Sequence, residues 1–103
     1  MARKTGELDL FKEIWAERPH ICKECGCHLG YMLAPHFFSH YISKGSEPAL
    51  RLDKENIDLL CFKHHHQWDH GDRKKMKIYD EDRIAQLKLK AHKQRTTYGY
   101  QSE

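Results

Sequence analysis

The sequence predicts a small α+β domain braced by a bound metal ion. Three observations carry that prediction. Helical apolar spacing frames the chain at residues 8–18 and again after residue 80, two short strand-like runs lie between at 36–42 and 57–61, and Cys/His pairs with a two-residue gap stand at 22–25 and 61–64. A chain of 103 residues, only 39% of them hydrophobic, buries about 60–65% of the surface its unfolded form exposes, so its core needs a staple. Length and composition both indicate a single domain spanning residues 1–103.

Leu8, Phe11, Ile14, Trp15 and Arg18 recur at three- and four-residue spacing, which predicts a first helix over 8–18, stopped by Pro19. Pro19 to Pro35 is dense in Cys, Gly and Pro and reads as a knuckle plus loop. The aromatic run His36–Ile42 predicts a strand with His36, Phe38 and His40 on one face, broken by Lys44-Gly45-Ser46-Glu47-Pro48. A second strand is expected at Ile57–Cys61 after the turn Asp53–Asn56, and a short helix at Phe62–His70, ended by Gly71. Lys77–Tyr79 is a candidate third strand. Asp80-Glu81-Asp82 offers a cap and an acidic first turn for a last helix with Ile84, Leu87 and Ala91 inward, and Thr97–Glu103 is expected to fray.

Charge is unevenly spread. The segment from Asp72 to Arg95 holds nine basic and four acidic residues, which leaves the rest of the chain slightly acidic although the whole carries +3. Such a segment is either a solvated face or a footprint for a polyphosphate. No apolar run approaches the roughly 18 residues of a membrane span, and no apolar leader follows Met1, so a cytoplasmic, reducing location is expected. There, four cysteines read as metal ligands before disulfides.

Cys22-Lys23-Glu24-Cys25 and Cys61-Phe62-Lys63-His64 form two hooks separated by 35 residues. Each gap lets two side chains reach one ion at about 2.0–2.3 Å, and four protein donors close a structural zinc site. Cys27 is a spare that could stand in for Cys25. Behind the second hook, His65 and Asp69 share one helix face, as do His66 and His70. Either pair could hold a second divalent ion, and spacing leaves both open.

The ordered set His40, Asn56 and His65, interleaved with the hooks, resembles the HNH (ββα-metal) nuclease family. The resemblance is carried by Phe38-Ser39-His40-Tyr41-Ile42-Ser43-Lys44-Gly45, by residues 50–61 and by His64-His65-His66-Gln67-Trp68. It covers about residues 20–71 and is nearest the small phage and bacterial members, phage recombination endonucleases among them, in which paired Cys-x2-Cys hooks brace the motif. It implies a ββα-metal domain with flanking N- and C-terminal helices. It further implies that His40 is a general base, that Asn56 fixes the loop between strands, and that His65, with Asp69, ligates a catalytic ion. Two departures stand out. Ser39 occupies a position where many members place another metal ligand, and the second hook ends in His64 where cysteine is common.

The chemistry fits these residue types, since phosphodiester hydrolysis needs a base near neutrality and a cation to offset phosphate charge. The expected function is therefore a metal-dependent DNA endonuclease, with structural Zn²⁺ and a catalytic Mg²⁺, Mn²⁺, Ni²⁺ or Zn²⁺. Arg51, Arg73, Lys74, Lys75 and Lys77 would grip the DNA backbone. The alternative is a non-catalytic zinc-knuckle module that binds nucleic acid. Neither flanking helix is apolar enough to require a dimer, so a monomer or weak dimer is expected.

Overall fold

The computed structural model describes residues 6–101, with side chains through Lys93. Its elements are helix α1 (Glu7–Glu17), strands β1 (Phe38–His40) and β2 (Ile57–Leu59), and helices α2 (Phe62–His70) and α3 (Glu81–Gln101). The strands form one antiparallel pair with Phe38 opposite Leu59, Ser39 opposite Asp58 and His40 opposite Ile57. The architecture is α+β, and none of the described helices is long and apolar enough to cross a membrane.

α1 ends where the sequence predicts, because Arg18 precedes a proline and is forced to extended backbone. Its apolar stripe is narrower than expected, however. Phe11 and Ile14 are buried, Trp15 is partly covered, and Leu8 is exposed. The Phe11 and Phe38 rings stack at 4.3 Å, which docks α1 on β1.

Both strands are shorter than the sequence predicts, for identifiable reasons. Pro35 starts a 3₁₀ turn through Phe37, so His36 never enters β1. β2 stops at Leu59 because Cys61 becomes the residue that leads into α2, one turn from His64. The candidate strand at Lys77–Tyr79 does not form. The Lys77 and Ile78 backbone N–H groups donate instead to the two oxygens of Glu24, at 2.9 and 3.0 Å. Asp80 caps α3 by accepting from Asp82 N at 2.9 Å, and the helix runs through Thr97 to Gln101 where fraying was expected.

The core centres on Tyr41 and Trp68, whose rings stack at 4.6 Å. Trp68 Nε1 donates to the Tyr41 carbonyl at 3.0 Å, and the Tyr41 hydroxyl donates to the Ile78 carbonyl at 2.8 Å. One contact chain thus joins β1, α2 and the basic segment before α3. Asp58, nearly fully buried, adds a second tie, since Arg83 reaches both of its oxygens at 2.9 and 3.0 Å and Lys23 reaches one at 3.3 Å. The packed groups satisfy one another, as a buried charge requires.

Candidate functional site

The first hook is a tight turn. Gly26 takes φ +78, a conformation disfavoured for residues with a Cβ, and its N–H donates to the Cys22 carbonyl at 2.8 Å. Lys23 N donates to the Leu59 carbonyl at 2.8 Å, which presses the turn against the end of β2, where the second hook begins. The donor atoms of Cys22, Cys25, Cys61 and His64 consequently lie within 4.8 Å of one another. Cys61 Sγ is 3.2 Å and Cys22 Sγ 3.7 Å from His64 Nδ1, and Cys25 Sγ is 4.0 Å from Cys61 Sγ. A tetrahedron with metal–sulfur bonds of about 2.3 Å has edges of about 3.8 Å, so the four donors are spaced to hold one metal ion. All four cysteines are free thiols.

Cys27 stands outside that set of four. Its backbone N–H and thiol pull the Cys25 thiol down to about 7. Its own thiol, set against Cys25 and Cys61, is pushed up to about 12. Position makes Cys25 the ligand of the two, since its Sγ belongs to the set of four and that of Cys27 does not.

His40 closes β1 on a second site. Its Nε2 lies 2.9 Å from the Arg51 carbonyl, which can only accept, so Nε2 carries the proton and Nδ1 holds the lone pair in the neutral ring. Burial disfavours the imidazolium, and its pKa falls below 6.5 even though the Arg51 carbonyl opposes the shift.

Asn56 is fully buried behind this strand end. Its Oδ1 accepts from Ile42 N at 2.8 Å, while Nδ2 donates to the Ile42 and Leu50 carbonyls at 2.9 and 3.3 Å. It therefore ties together the loop that follows His40.

On α2, His65 Nδ1 contacts the His36 carbonyl, which leaves Nε2 as the unprotonated nitrogen of the neutral ring. Nε2 is 3.2 Å from Asp69 Oδ2. Two donors about 2.1 Å from one ion at ordinary angles are separated by about 3.0–3.4 Å, so this pair fits a shared cation. His66 and His70 pack ring against ring, with centroids 5.0 Å apart.

His40, His65, Asp69 and His70 line one cleft of about 540 Å³, together with Glu7, Lys44 and Arg73. His66 lies outside it. Ser39 is buried, is not among the lining residues, and its hydroxyl has no hydrogen-bond partner among the described residues. A larger cleft of about 690 Å³ beside β2 holds none of the predicted site residues except Cys22, and in it Lys23 and Arg83 both pair with Asp58.

Of the five basic residues expected to grip DNA, only Arg73 lines the His40 cleft. Arg73 lies over the Trp68 ring at 5.1 Å, with Lys74 beside it and Lys77 exposed. Lys75 pairs with Asp72 at 3.8 Å. Arg51 is engaged by Glu7, whose Oε2 takes Arg51 Nε at 3.0 Å and Lys44 Nζ at 3.1 Å. Burial alone would raise the Glu7 carboxyl, but these two partners outweigh it and hold the pKa below 4.5. Sequence reasoning missed Glu7 and Lys44, because Glu7 meets its partners only through the tertiary fold. No family model, curated protein or solved structure matches the chain.

Proposed function

We propose that this chain is a metal-dependent DNA endonuclease of the HNH (ββα-metal) type. The reading is carried by one observation: His40, His65 and Asp69 line the same cleft although two of them sit on α2 and one on β1. Neutral His40, with Nε2 fixed on the Arg51 carbonyl, would take a proton from water through Nδ1. Asn56 acts at one remove, as a positioning residue for the loop after His40. His65 and Asp69 would hold a divalent ion (Mg²⁺, Mn²⁺, Ni²⁺ or Zn²⁺), which when bound supplies charge to offset that of the phosphate and leaving oxygen. Zinc at Cys22, Cys25, Cys61 and His64 would be structural, since four protein donors leave no open position. Arg73, which lines the cleft, would grip the DNA backbone without reading sequence, together with Arg51, Lys74, Lys75 and Lys77.

The rival reading is a zinc-knuckle module that binds nucleic acid without cutting it. It is favoured by the second site's short donor list, since the position before His40 holds the buried Ser39, which does not line the cleft. A plasmid nicking assay separates the two. Cleavage in Mg²⁺, Mn²⁺, Ni²⁺ or Zn²⁺ that stops in EDTA and in His40→Ala supports the nuclease. Plasmid binding without nicking in any of the four ions supports the module.

A further inference from the structure

Glu7 bridges two cations at the rim of the cleft. A single carboxylate oxygen, Oε2, accepts from Arg51 Nε at 3.0 Å and Lys44 Nζ at 3.1 Å, and lies 3.8 Å from His40 Nε2. The two cations come from the loop that Asn56 ties down, whereas the carboxylate comes from the first turn of α1, 44 residues from Arg51. The Glu7 side chain is only 18% exposed, while Lys44 and Arg51 are 45% and 41% exposed. The anion is thus held inside a cationic pair that is itself open to solvent.

We propose that Lys44 and Arg51 form a phosphodiester-binding subsite beside His40, and that Glu7 is its built-in occupant, a carboxylate standing where a backbone phosphate of nucleic acid would sit. Both anions present oxygen acceptors to Arg and Lys, and Arg and Lys are the side chains suited to phosphate. One carboxylate leaves a net positive charge on the pair, so the site retains attraction for a second anion. The two anions compete, because a phosphate brought to the same donors meets the Glu7 charge. This inference rests on the nuclease reading for the identity of the polyanion, but the anion subsite itself does not.

The test is the isosteric variant Glu7→Gln, with Lys44→Gln/Arg51→Gln as the partner-removed background. Affinity is read by fluorescence anisotropy for a short DNA duplex in EDTA, and separately by NMR titration with inorganic phosphate. Glu7→Gln should tighten both by about three- to tenfold, the scale of removing one competing charge from a partly exposed pair. The gain should vanish in the Lys44→Gln/Arg51→Gln background, which should itself lower the salt slope for the duplex by about one unit, the value for one phosphate. Far-UV circular dichroism checks that α1 is intact in each variant.

If Glu7→Gln leaves phosphate binding unchanged or weakens it, Glu7 is a structural partner and the proposal is overturned. If the gain persists without Lys44 and Arg51, the subsite is misassigned and the proposal also fails. If phosphate binding tightens as expected while neither protein binds duplex DNA, the subsite stands and the nuclease reading falls.

Discussion

Asn56 and Ile42, 14 positions apart, exchange two hydrogen bonds: Ile42 N donates to Asn56 Oδ1 at 2.8 Å, and Asn56 Nδ2 donates back to the Ile42 carbonyl at 2.9 Å. The amide mimics a strand partner just past the point where β1 ends. Asn56 is fully buried, so in the folded protein its amide and not solvent satisfies these groups. Asn56→Ala should therefore cost about 2–4 kcal/mol, by leaving the Ile42 N–H and carbonyl without partners. Asn56→Asp should cost at least as much, since it sets a charged acceptor against two carbonyls. A denaturant midpoint equal to that of the parent protein would refute this account of the loop.

The metal knuckle makes a sharper prediction. One ion should co-purify per chain, and Cys61→Ser or a strong chelator should abolish the cooperative melt, because the ion joins the first hook to the start of α2. Cys27→Ser should retain the ion, since the closed set of four uses Cys25. Metal analysis of the two variants decides the matter. Loss of the ion in Cys27→Ser with retention in Cys25→Ser would exchange the two ligands.

The basic segment should contribute affinity in a graded way. Replacing Arg73, Lys74, Lys75 and Lys77 by Ala should flatten the salt dependence of DNA binding by up to about four units. Arg73→Ala alone should be the most damaging single change, because only this residue of the four lines the cleft. Lys75→Ala should be the mildest, as its charge is already shared with Asp72. A salt slope unchanged in the fourfold variant would make the segment a solvated face.

What was legible in the sequence was local. The hooks are read from a two-residue gap, α1 and α3 from apolar spacing and a capping aspartate, and each landed within a residue or two at its start. The failures lie where a distant group supplies what the local pattern seemed to demand. Lys77–Tyr79 alternates like a strand, yet its donors go to Glu24, 53 residues earlier in the chain for Lys77. His36–Ile42 reads as one strand, but Pro35 imposes a turn on its first two residues. Glu7 looks like an ordinary first-turn acid, and nothing in its neighbours announces Lys44 and Arg51. Of the candidate site, the sequence named His40, Asn56, His65 and Asp69, and the fold brings His40, His65 and Asp69 to one cleft.

The lowered His40 pKa has a pH consequence with a definite sign. In the folded protein the imidazolium is disfavoured, so between the unfolded value near 6.5 and the lower folded value the unfolded chain binds more protons. The stability linked to His40 is thus fully present above about pH 6.5 and is lost as pH falls from there through the folded value. If His40 is the base, the acid limb of cleavage should have its midpoint below 6.5 as well. NMR titration of the His40 ring checks the assignment directly. A midpoint at or above 6.5 would contradict the burial argument.

Separate defects should follow from the base and from the ion's ligands. Removing the base leaves the α2 pair and the basic residues untouched, so His40→Ala should reduce cleavage by roughly 10²–10⁴-fold with DNA binding and knuckle metal preserved. Removing a ligand weakens an ion that mass action can restore. His65→Ala should therefore regain part of its activity at high Mn²⁺, and Asp69→Ala should behave alike but more mildly. The opposite pair supplies the control for register. His66 lies outside the cleft and packs on His70, so His66→Ala should be near neutral. His70 lines the cleft but has no donor contact with His65 or Asp69 among the described residues, so His70→Ala should cost far less than His65→Ala. Were His66 and His70 essential while His65 and Asp69 proved dispensable, the ion would belong to the other face of α2. Wild-type cleavage by His40→Ala would be the graver result, because no other group on β1 could take over the base's part, and the zinc-knuckle binding module would become the better reading.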